Sequence, residues 1–94
     1  MLQFQWNSTK ASENLAKHGV SFDEAVTVFY DDYATQFFDH DHSDDEERFV
    51  MLGMSVRARV LVVSHCERHG GEVIRIISAR KATARERLSY QGLS

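Results

Sequence analysis

The stretch VIRIISARKATARERLSY, residues 73–90, decides how this sequence folds. It begins as a run of β-branched apolar residues, which is typical of a buried strand. It then continues without Gly or Pro into good helix formers. These predict a final helix that begins near Arg80, or slightly later through the capping-box pattern Thr83-x-x-Glu86. Five basic residues lie along the stretch: Arg75, Arg80, Lys81, Arg85 and Arg87.

A strand that leads into a basic helix can place several cations on rigid backbone around one point. This arrangement favours a phosphate-rich partner, and nucleic acid above all. The alternative is a core strand followed by an ordinary solvated helix.

Length and composition limit the classes of protein that fit. The 94 residues predict one small domain, 1–94, and an apolar share of 43% is enough for a core. No apolar run approaches the roughly 18 residues of a membrane span, and the N-terminus lacks the pattern of a signal peptide. The single cysteine, Cys66, excludes an internal disulfide framework. We therefore expect a protein of the reducing cytoplasm without membrane contact.

Charge is divided unequally along the chain. Residues 1–49 hold three basic and eleven acidic side chains, a net charge of −8, whereas residues 50–94 hold eight and three, a net charge of +5. The overall net charge of −3 therefore hides a basic half. This division predicts an acidic and a basic face on one domain, and the basic face can meet phosphates.

The predicted order of elements is β-α-α-β-β-β-β-α. It indicates an α+β fold, a small antiparallel sheet of about four to five strands with two N-terminal helices and one C-terminal helix. After a strand at residues 2–6, the first helix covers Ser8–His18 and ends at Gly19, and Ser21 with Glu24 forms the capping box of the second helix. Four strands follow at residues 34–39, 48–56, 59–66 and 72–78. Their short connections predict an antiparallel meander.

A two-residue turn at Arg57-Ala58 would set the register of the central hairpin. One face of the sheet would then carry Arg48, Val50, Leu52, Met54, Arg59, Leu61, Val63 and His65. In the last strand, Arg75 lies between apolar neighbours, where an unpaired charge is costly to bury. We therefore expect Arg75 to pair or to face a polar cleft.

The loop at residues 39–47, DHDHSDDEE, is the most charged part of the chain. His40 and His42 lie among carboxylates and have the chemistry of ligands for a divalent metal, although no cysteine accompanies them. In a second interpretation, Glu46 and Arg48 direct a general base and a charge stabiliser into a shared site. The plain alternatives are a solvated acidic loop and a surface ion pair.

Two segments and a set of positions along the chain form a recognisable pattern. The specific segments are KHGVSF at residues 17–22 and RIISAR at residues 75–80. Supporting positions run over nearly the whole chain: Phe4, Trp6, Asn7, Lys10, Ala11, Asn14, Glu24, Ala25, Val28, Phe29, His42, Ser43, Glu46, Arg48, Gly53, Glu86 and Arg87. On these residues, the sequence as a whole resembles the BrnT toxin family. One departure is Tyr30-Asp31-Asp32, where the family commonly has Asp-Pro.

The resemblance implies a bacterial type II toxin with a RelE-like fold, which cleaves RNA without a metal or other cofactor and so inhibits translation. It also implies a partner, the BrnA antitoxin, whose ribbon-helix-helix portion binds DNA, so that operator DNA is met only through the antitoxin. Two other hypotheses remain open from the residues. One is a non-catalytic module whose basic face binds nucleic acid or protein, and the other is a metal-dependent hydrolase that uses His40 and His42.

For a ribonuclease of this kind, we expect attack of a ribose 2′-hydroxyl on the adjacent phosphate, giving a 2′,3′-cyclic phosphate and a 5′-hydroxyl. The reaction needs cations near phosphorus and a group that takes a proton. The arginines expected to stabilise charge are Arg59, Arg75 and Arg80, followed by Arg48. The expected base is Glu46, and the alternative groups for proton transfer are Lys17 and His18. The residues expected to hold RNA are Arg57, Lys81, Arg85, Arg87 and Tyr90.

Overall fold

A five-stranded β-sheet lies at the centre of the structure, a computed structural model that describes residues 1–44 and 46–93. The elements in chain order are β1 (Gln3–Gln5), α1 (Ser8–His18), α2 (Phe22–Val28), β2 (Thr35–Phe38), β3 (Arg48–Met54), β4 (Val60–Arg68), β5 (Val73–Lys81) and α3 (Ala84–Arg87), with 3₁₀ turns at His40–His42, His69–Gly71 and Gln91–Leu93. This order confirms the predicted α+β class with two N-terminal helices and one C-terminal helix.

Both N-terminal helices begin and end where their capping residues predict. The Asn7 side chain accepts a first-turn N–H at 3.0 Å, and Gly19 ends α1 in the left-handed region at φ 68°. The Ser21 side chain accepts the Glu24 N–H at 3.0 Å. The Glu24 carboxylate binds Arg59 instead of reaching back to complete a capping box. Within the described residues, no helix is long and apolar enough to cross a membrane.

The strands lie in the order β1-β5-β4-β3-β2. Strands β2 to β5 form the predicted antiparallel meander. Strand β1 pairs with the far side of β5 in parallel, with Phe4 opposite Ile74. The sheet is therefore mixed rather than wholly antiparallel.

The hairpin between β3 and β4 turns through three residues, not the predicted two. Ser55 donates its N–H to the Arg59 carbonyl at 2.9 Å, and Ala58 lies in the left-handed region at φ 60°. The pairing of β3 with β4 is consequently one position away from the predicted register. Because a one-residue shift turns a strand's side chains to the other face, the expected grouping of Arg48 with Arg59 and His65 is wrong.

Alternation along the paired strands gives the sheet two distinct faces. The face that we call the helix face packs under α1 and α2, and its core consists of Leu61, Val63, Ile74, Ile76 and Ala79 with Val20, Phe22, Ala25 and Val28. The opposite face, which we call the arginine face, carries Arg48, Arg75, Arg80, Ser64, Cys66 and Ser78. A smaller apolar cluster lies on that side and contains Leu52, Val60, Val62 and Tyr90.

A β-bulge allows the two arginines of β5 to share a face. The successive pairs 64–78 and 65–76 leave Ile77 without a partner in the ladder. An extra residue of this kind reverses the alternation of the strand beyond it. Arg75 and Arg80 therefore both point to the arginine face, although regular alternation would separate residues five positions apart.

The C-terminal helix is shorter than predicted. Strand β5 continues through Arg80 and Lys81, because both pair with β4. Helix α3 follows behind a complete capping box, in which the side chains of Thr83 and Glu86 each bind the other's backbone. The later of the two predicted starts is confirmed, and a helix that begins at Arg80 is wrong because strand pairing overrides local helix propensity.

Candidate active site

Three strands contribute one row of side chains to the arginine face. Arg48 in β3 pairs with Cys66 in β4, which pairs with Arg75 in β5. Arg80 lies further along β5 on the same face, and the Arg75 Nη1 atom lies 3.5 Å from the amide oxygen of Gln5. Guanidinium groups fixed on one rigid surface match the geometry and charge of a phosphodiester.

Two neighbouring clefts open beside this row. The larger has a volume of about 560 Å³, and the polar residues that line it include Asp39, His42, Ser64, Ser78, Arg80 and Glu86. The smaller has a volume of about 390 Å³ and is lined by Asp41, His42, Asp44, Glu46 and Arg48. Because Asp41 and His42 border both, the 3₁₀ turn His40–His42 stands between the two clefts.

Glu86 fixes the guanidinium of Arg80 in the larger cleft. The two Nη atoms of Arg80 donate to the two carboxylate oxygens at 2.7 and 2.9 Å. The hydrogen bonds from Arg80 are the main reason that the pKa of Glu86 falls to about 2. A guanidinium has five N–H donors, so this contact leaves others for a phosphate. Arg80 is thus oriented and still able to bind an anion.

Glu46 lies beside the row of arginines and contacts Cys66, which belongs to that row. Its carboxylate accepts a hydrogen bond from the Cys66 thiol at 3.2 Å and lies 3.4 Å from Nη2 of Arg68. The thiol contact, with help from the charges of Arg68 and Arg48, lowers the pKa of Glu46 below its ordinary value of 4.5. Burial, together with Glu46, raises the pKa of Cys66 to about 11. At neutral pH the pair is therefore a carboxylate and a thiol.

The two histidines of the acidic loop make different contacts. The Nδ1 atom of His42 lies 3.0 and 3.2 Å from the two carboxylate oxygens of Asp39, whereas the ring of His40 packs edge-on against Phe38. In residues 1–44 and 46–93, no group of three or more His, Cys, Asp or Glu side chains is arranged to hold a metal ion. Asp45, part of the loop for which a metal was considered, lies outside the described residues.

Arg59 lies on the helix face, on the other side of the sheet from Arg80. Its Nε atom donates to a Glu24 carboxylate oxygen at 2.9 Å, and its Nη2 atom contacts the other oxygen. The Ser55 hydroxyl donates to the same carboxylate at 2.7 Å, and Arg57 approaches it to 3.9 Å. The contact with Arg59 is the main cause of a lowered pKa of Glu24. Arg57 and Arg59 thus join the hairpin turn to α2 and do not meet the other predicted site residues.

Lys17 and His18 line a separate cleft of about 210 Å³ that runs along one side of α1. Lys10 and Ser78 also border it, and Ser78 lines the larger cleft as well. The two clefts therefore open next to each other at the β5 bulge. The structure places the α1 cations beside this part of the arginine face and not in the cleft that contains Glu46.

The remaining residues expected to hold RNA are spread over the molecule. Tyr90 is only 3% exposed and donates a hydrogen bond to Asp31, so its ring is not available to stack on a base. Burial is the main reason that the pKa of Tyr90 rises to about 12. Lys81 pairs with Leu61 and points to the helix face, whereas Arg85 and Arg87 are exposed on α3.

Comparison with protein families identifies the chain. Residues 6–86 match the family described as "Ribonuclease toxin, BrnT, of type II toxin-antitoxin system". The chain belongs to this family. Membership in the BrnT family makes it a ribonuclease toxin of the type II class and implies an antitoxin partner. The resemblance seen in the sequence is confirmed.

The fold of the BrnT family is also found in a solved structure. The crystal structure of the Brucella abortus ribonuclease toxin, BrnT, matches with a TM-score of 0.67 and 24% sequence identity, over 88% of this chain and 99% of that chain. This likeness confirms the fold. No curated protein matches the sequence.

Several contacts beside the arginine face were not predicted from the sequence, and two of them orient Arg80 and His42. The first joins Glu86 to Arg80, and its signal was the capping box, because a carboxylate at the third helical position turns back towards the preceding strand. The second joins Asp39 to His42. Its three-residue spacing is that of a single helical turn, but a polar loop gives no sequence signal for such a turn.

Proposed function

We propose that this protein is the toxin of a bacterial type II toxin–antitoxin pair and acts as a metal-independent endoribonuclease in the cytoplasm, where RNA cleavage inhibits translation and growth. The observation that carries the proposal is the position of Arg48, Arg75 and Arg80 on one face, with Glu46 lining the adjacent cleft. The whole chain, 1–94, serves as a single ribonuclease domain.

The proposed reaction is a transesterification within RNA. The ribose 2′-oxygen bonds to the adjacent phosphorus while the P–O5′ bond breaks, which leaves a 2′,3′-cyclic phosphate and a 5′-hydroxyl. Negative charge grows on the phosphoryl oxygens, and cations held on rigid backbone stabilise it. Arg80 and Arg48 border the two clefts and are the proposed stabilisers, with Arg75 on the same face.

Glu46 is the proposed base for the 2′-hydroxyl. Because its pKa is lowered, it is ionised at neutral pH and able to accept a proton. The same contacts weaken it as a base. A phosphodiester seated against Arg48 would offset them, because its negative charge favours protonation of a neighbouring carboxylate.

The proposed partner is a BrnA-like ribbon-helix-helix antitoxin, through which alone the toxin meets operator DNA. The arginine face is a natural docking surface for an inhibitor with acidic segments. Co-expression with the antitoxin encoded beside it should yield a stable complex. Recovery of only free toxin from that co-expression would contradict the partnership.

Incubation of the purified protein with RNA in EDTA tests the activity directly. The proposal expects cleavage in the chelator, 2′,3′-cyclic phosphate ends, and loss of both in Arg80→Ala at equal concentration and helical content. Cleavage only with added metal would favour a metal-dependent hydrolase, and binding without cleavage would favour a non-catalytic module. Induced expression, followed by growth and RNA integrity, provides the cellular measurement.

A further inference from the structure

The imidazole of His42 is held in one orientation by a carboxylate. Nδ1 lies 3.0 Å from Oδ2 and 3.2 Å from Oδ1 of Asp39. A carboxylate at Nδ1 fixes the tautomer and the ring orientation, and it leaves Nε2 to exchange a proton with a substrate. This is the arrangement of an acid–base group, and it occurs beside the proposed site of phosphodiester cleavage.

The turn that carries His42 is anchored to the strand that carries Arg48. The Asp39 carboxylate also accepts the N–H of Asp41 at 3.2 Å. The Ser43 hydroxyl donates to the Asp39 carbonyl and accepts the N–H of Arg48 at 3.0 Å. These bonds fix the turn relative to the first residue of β3, so the imidazole is positioned against the arginine face.

His42 borders both clefts of the proposed site. It lines one cleft with Glu46 and Arg48 and the other with Arg80. In a transesterification the attacking and leaving oxygens lie roughly in line on opposite sides of phosphorus, so the base and the acid must approach from different sides. If Arg80 holds the phosphate in the larger cleft, His42 lines that same cleft. Glu46 lines the smaller cleft, on the other side of the 3₁₀ turn.

His40 also lines the larger cleft, but its ring packs edge-on against Phe38 and no carboxylate of the described residues orients it. Cys66 beside the site and His65 on the opposite face are poorly suited to give a proton to the leaving oxygen. The Cys66 thiol is fully buried, and burial is the main reason that its pKa rises to about 11. His65 is fully buried on the helix face, where its Nε2 lies 3.0 Å from the Gln36 amide oxygen. His42, in contrast, has a side chain that is 66% exposed beside the clefts.

We propose that His42 is the general acid of the cleavage reaction and that Asp39 positions it, an inference that rests on the function proposed above. As the 2′-oxygen bonds to phosphorus, its proton passes to Glu46. The imidazolium of His42 gives its Nε2 proton to O5′ as the P–O5′ bond breaks. The step ends with a protonated Glu46 and a neutral His42, and exchange with water restores both.

A change of leaving group tests this role. One RNA oligonucleotide carries the ordinary O5′ at a site that the wild-type protein cleaves, and a second carries sulfur in its place, which departs as a thiolate without protonation. Both are incubated in EDTA with the wild type and with His42→Ala. We expect His42→Ala to lose about 10²–10⁴-fold in rate on the oxygen substrate, the usual contribution of a general acid, and to approach the wild-type rate on the sulfur substrate.

Two variants serve as matched comparisons. Glu46→Gln removes the base and should be slow on both substrates. Asp39→Asn keeps an oxygen for the Asp41 N–H but loses its charge, so it should be slower on oxygen than on sulfur, by a smaller factor than His42→Ala. Equal losses of His42→Ala on both substrates, or a wild-type rate on oxygen, would overturn the assignment while leaving the ribonuclease function intact. Failure of the wild type to cleave either substrate would instead overturn the function and the assignment together.

Discussion

The hydroxyl of Tyr90 donates a hydrogen bond to the carboxylate of Asp31, which also accepts the N–H of Met54 at 2.8 Å. Asp31 lies in the turn after α2, and Met54 ends β3. One carboxylate thus connects the C-terminal segment to two distant parts of the chain. The contact makes Tyr90 part of the apolar packing on the arginine face rather than part of an RNA-binding surface.

Tyr90→Phe keeps the ring and removes this hydrogen bond. We expect the free energy of unfolding to fall by about 1–2 kcal/mol, because the variant leaves Asp31 without one of its donors. Urea unfolding followed by circular dichroism measures the loss. RNA affinity of the folded variant should equal that of the wild type, and reduced affinity at unchanged stability would restore the predicted role in base stacking.

Arg80→Lys keeps the positive charge but loses the planar fork that Glu86 orients. We expect a decrease in RNA cleavage of about 10²–10³-fold, because a lysine ammonium cannot bind Glu86 at two points and also present fixed donors to the phosphoryl oxygens. Arg85→Ala provides the comparison, since Arg85 is an exposed cation on α3. Equal activity of Arg80→Lys and the wild type would mean that charge alone suffices.

The pair formed by Glu86 and Arg80 makes stability depend on acid pH. The pKa of Glu86 is about 2 in the folded protein against an ordinary value of 4.5, so its stabilisation is complete above pH 4.5 and is lost as the pH falls towards 2. Glu86→Gln should therefore lower stability at pH 7 by about 1 kcal/mol or less, since the pair is partly exposed, and by a smaller amount at pH 3. Urea midpoints at the two pH values test this, and an equal difference at both would contradict it.

Glu24→Ala tests whether Arg59 is structural. The substitution leaves the Arg59 guanidinium and the Ser55 hydroxyl without their shared partner, so we expect a loss of about 2–3 kcal/mol in stability. Asp23→Ala removes an exposed carboxylate from the same helical turn and should cost well under 1 kcal/mol. RNA cleavage per folded molecule should be unchanged in both variants. A folded Glu24→Ala protein that no longer cleaves RNA would return Arg59 to the active site.

Lys17→Ala tests the cleft that runs along one side of α1. If an RNA backbone leaves the larger cleft past Ser78, removal of Lys17 should lower the slope of log affinity against log salt by about 0.7, the value for one phosphate contact on a single strand. The rate of cleavage at saturating RNA should hardly change. Lys81→Ala is the comparison, because β5 directs Lys81 away from the arginine face. Identical slopes for both variants and the wild type would exclude this path.

The sequence predicted the class of the fold because its signals were local. Gly19 and Ser21 marked the boundary of the N-terminal helices, and alternation marked the strands. The register between β3 and β4 was harder to predict, because Ala58 takes a left-handed conformation that is uncommon for alanine. With one more residue in the turn than predicted, the register places Arg59 on the opposite face from Arg48.

The same difference between local and non-local signals applies to the candidate site. Arg48, Arg75 and Arg80 could be chosen from charge, their strand positions and the family resemblance, and the structure places them on one face. The carboxylates that orient Arg80 and His42, which are Glu86 and Asp39, act through a capping box that turns back on the preceding strand and through a loop turn. No periodicity in the sequence encodes such contacts.

The unpaired Ile77 is the one residue by which β5 exceeds β4 between Arg75 and Arg80. Deletion of this residue would leave Arg75 and Arg80 four positions apart in a regular ladder, so both would still point to the arginine face. Substitution by another apolar residue would leave both directions unchanged. What an evolving lineage cannot lose is the bulge at this length of strand, because a regular strand with all six residues from Arg75 to Arg80 would divide the two arginines between opposite sides of the sheet.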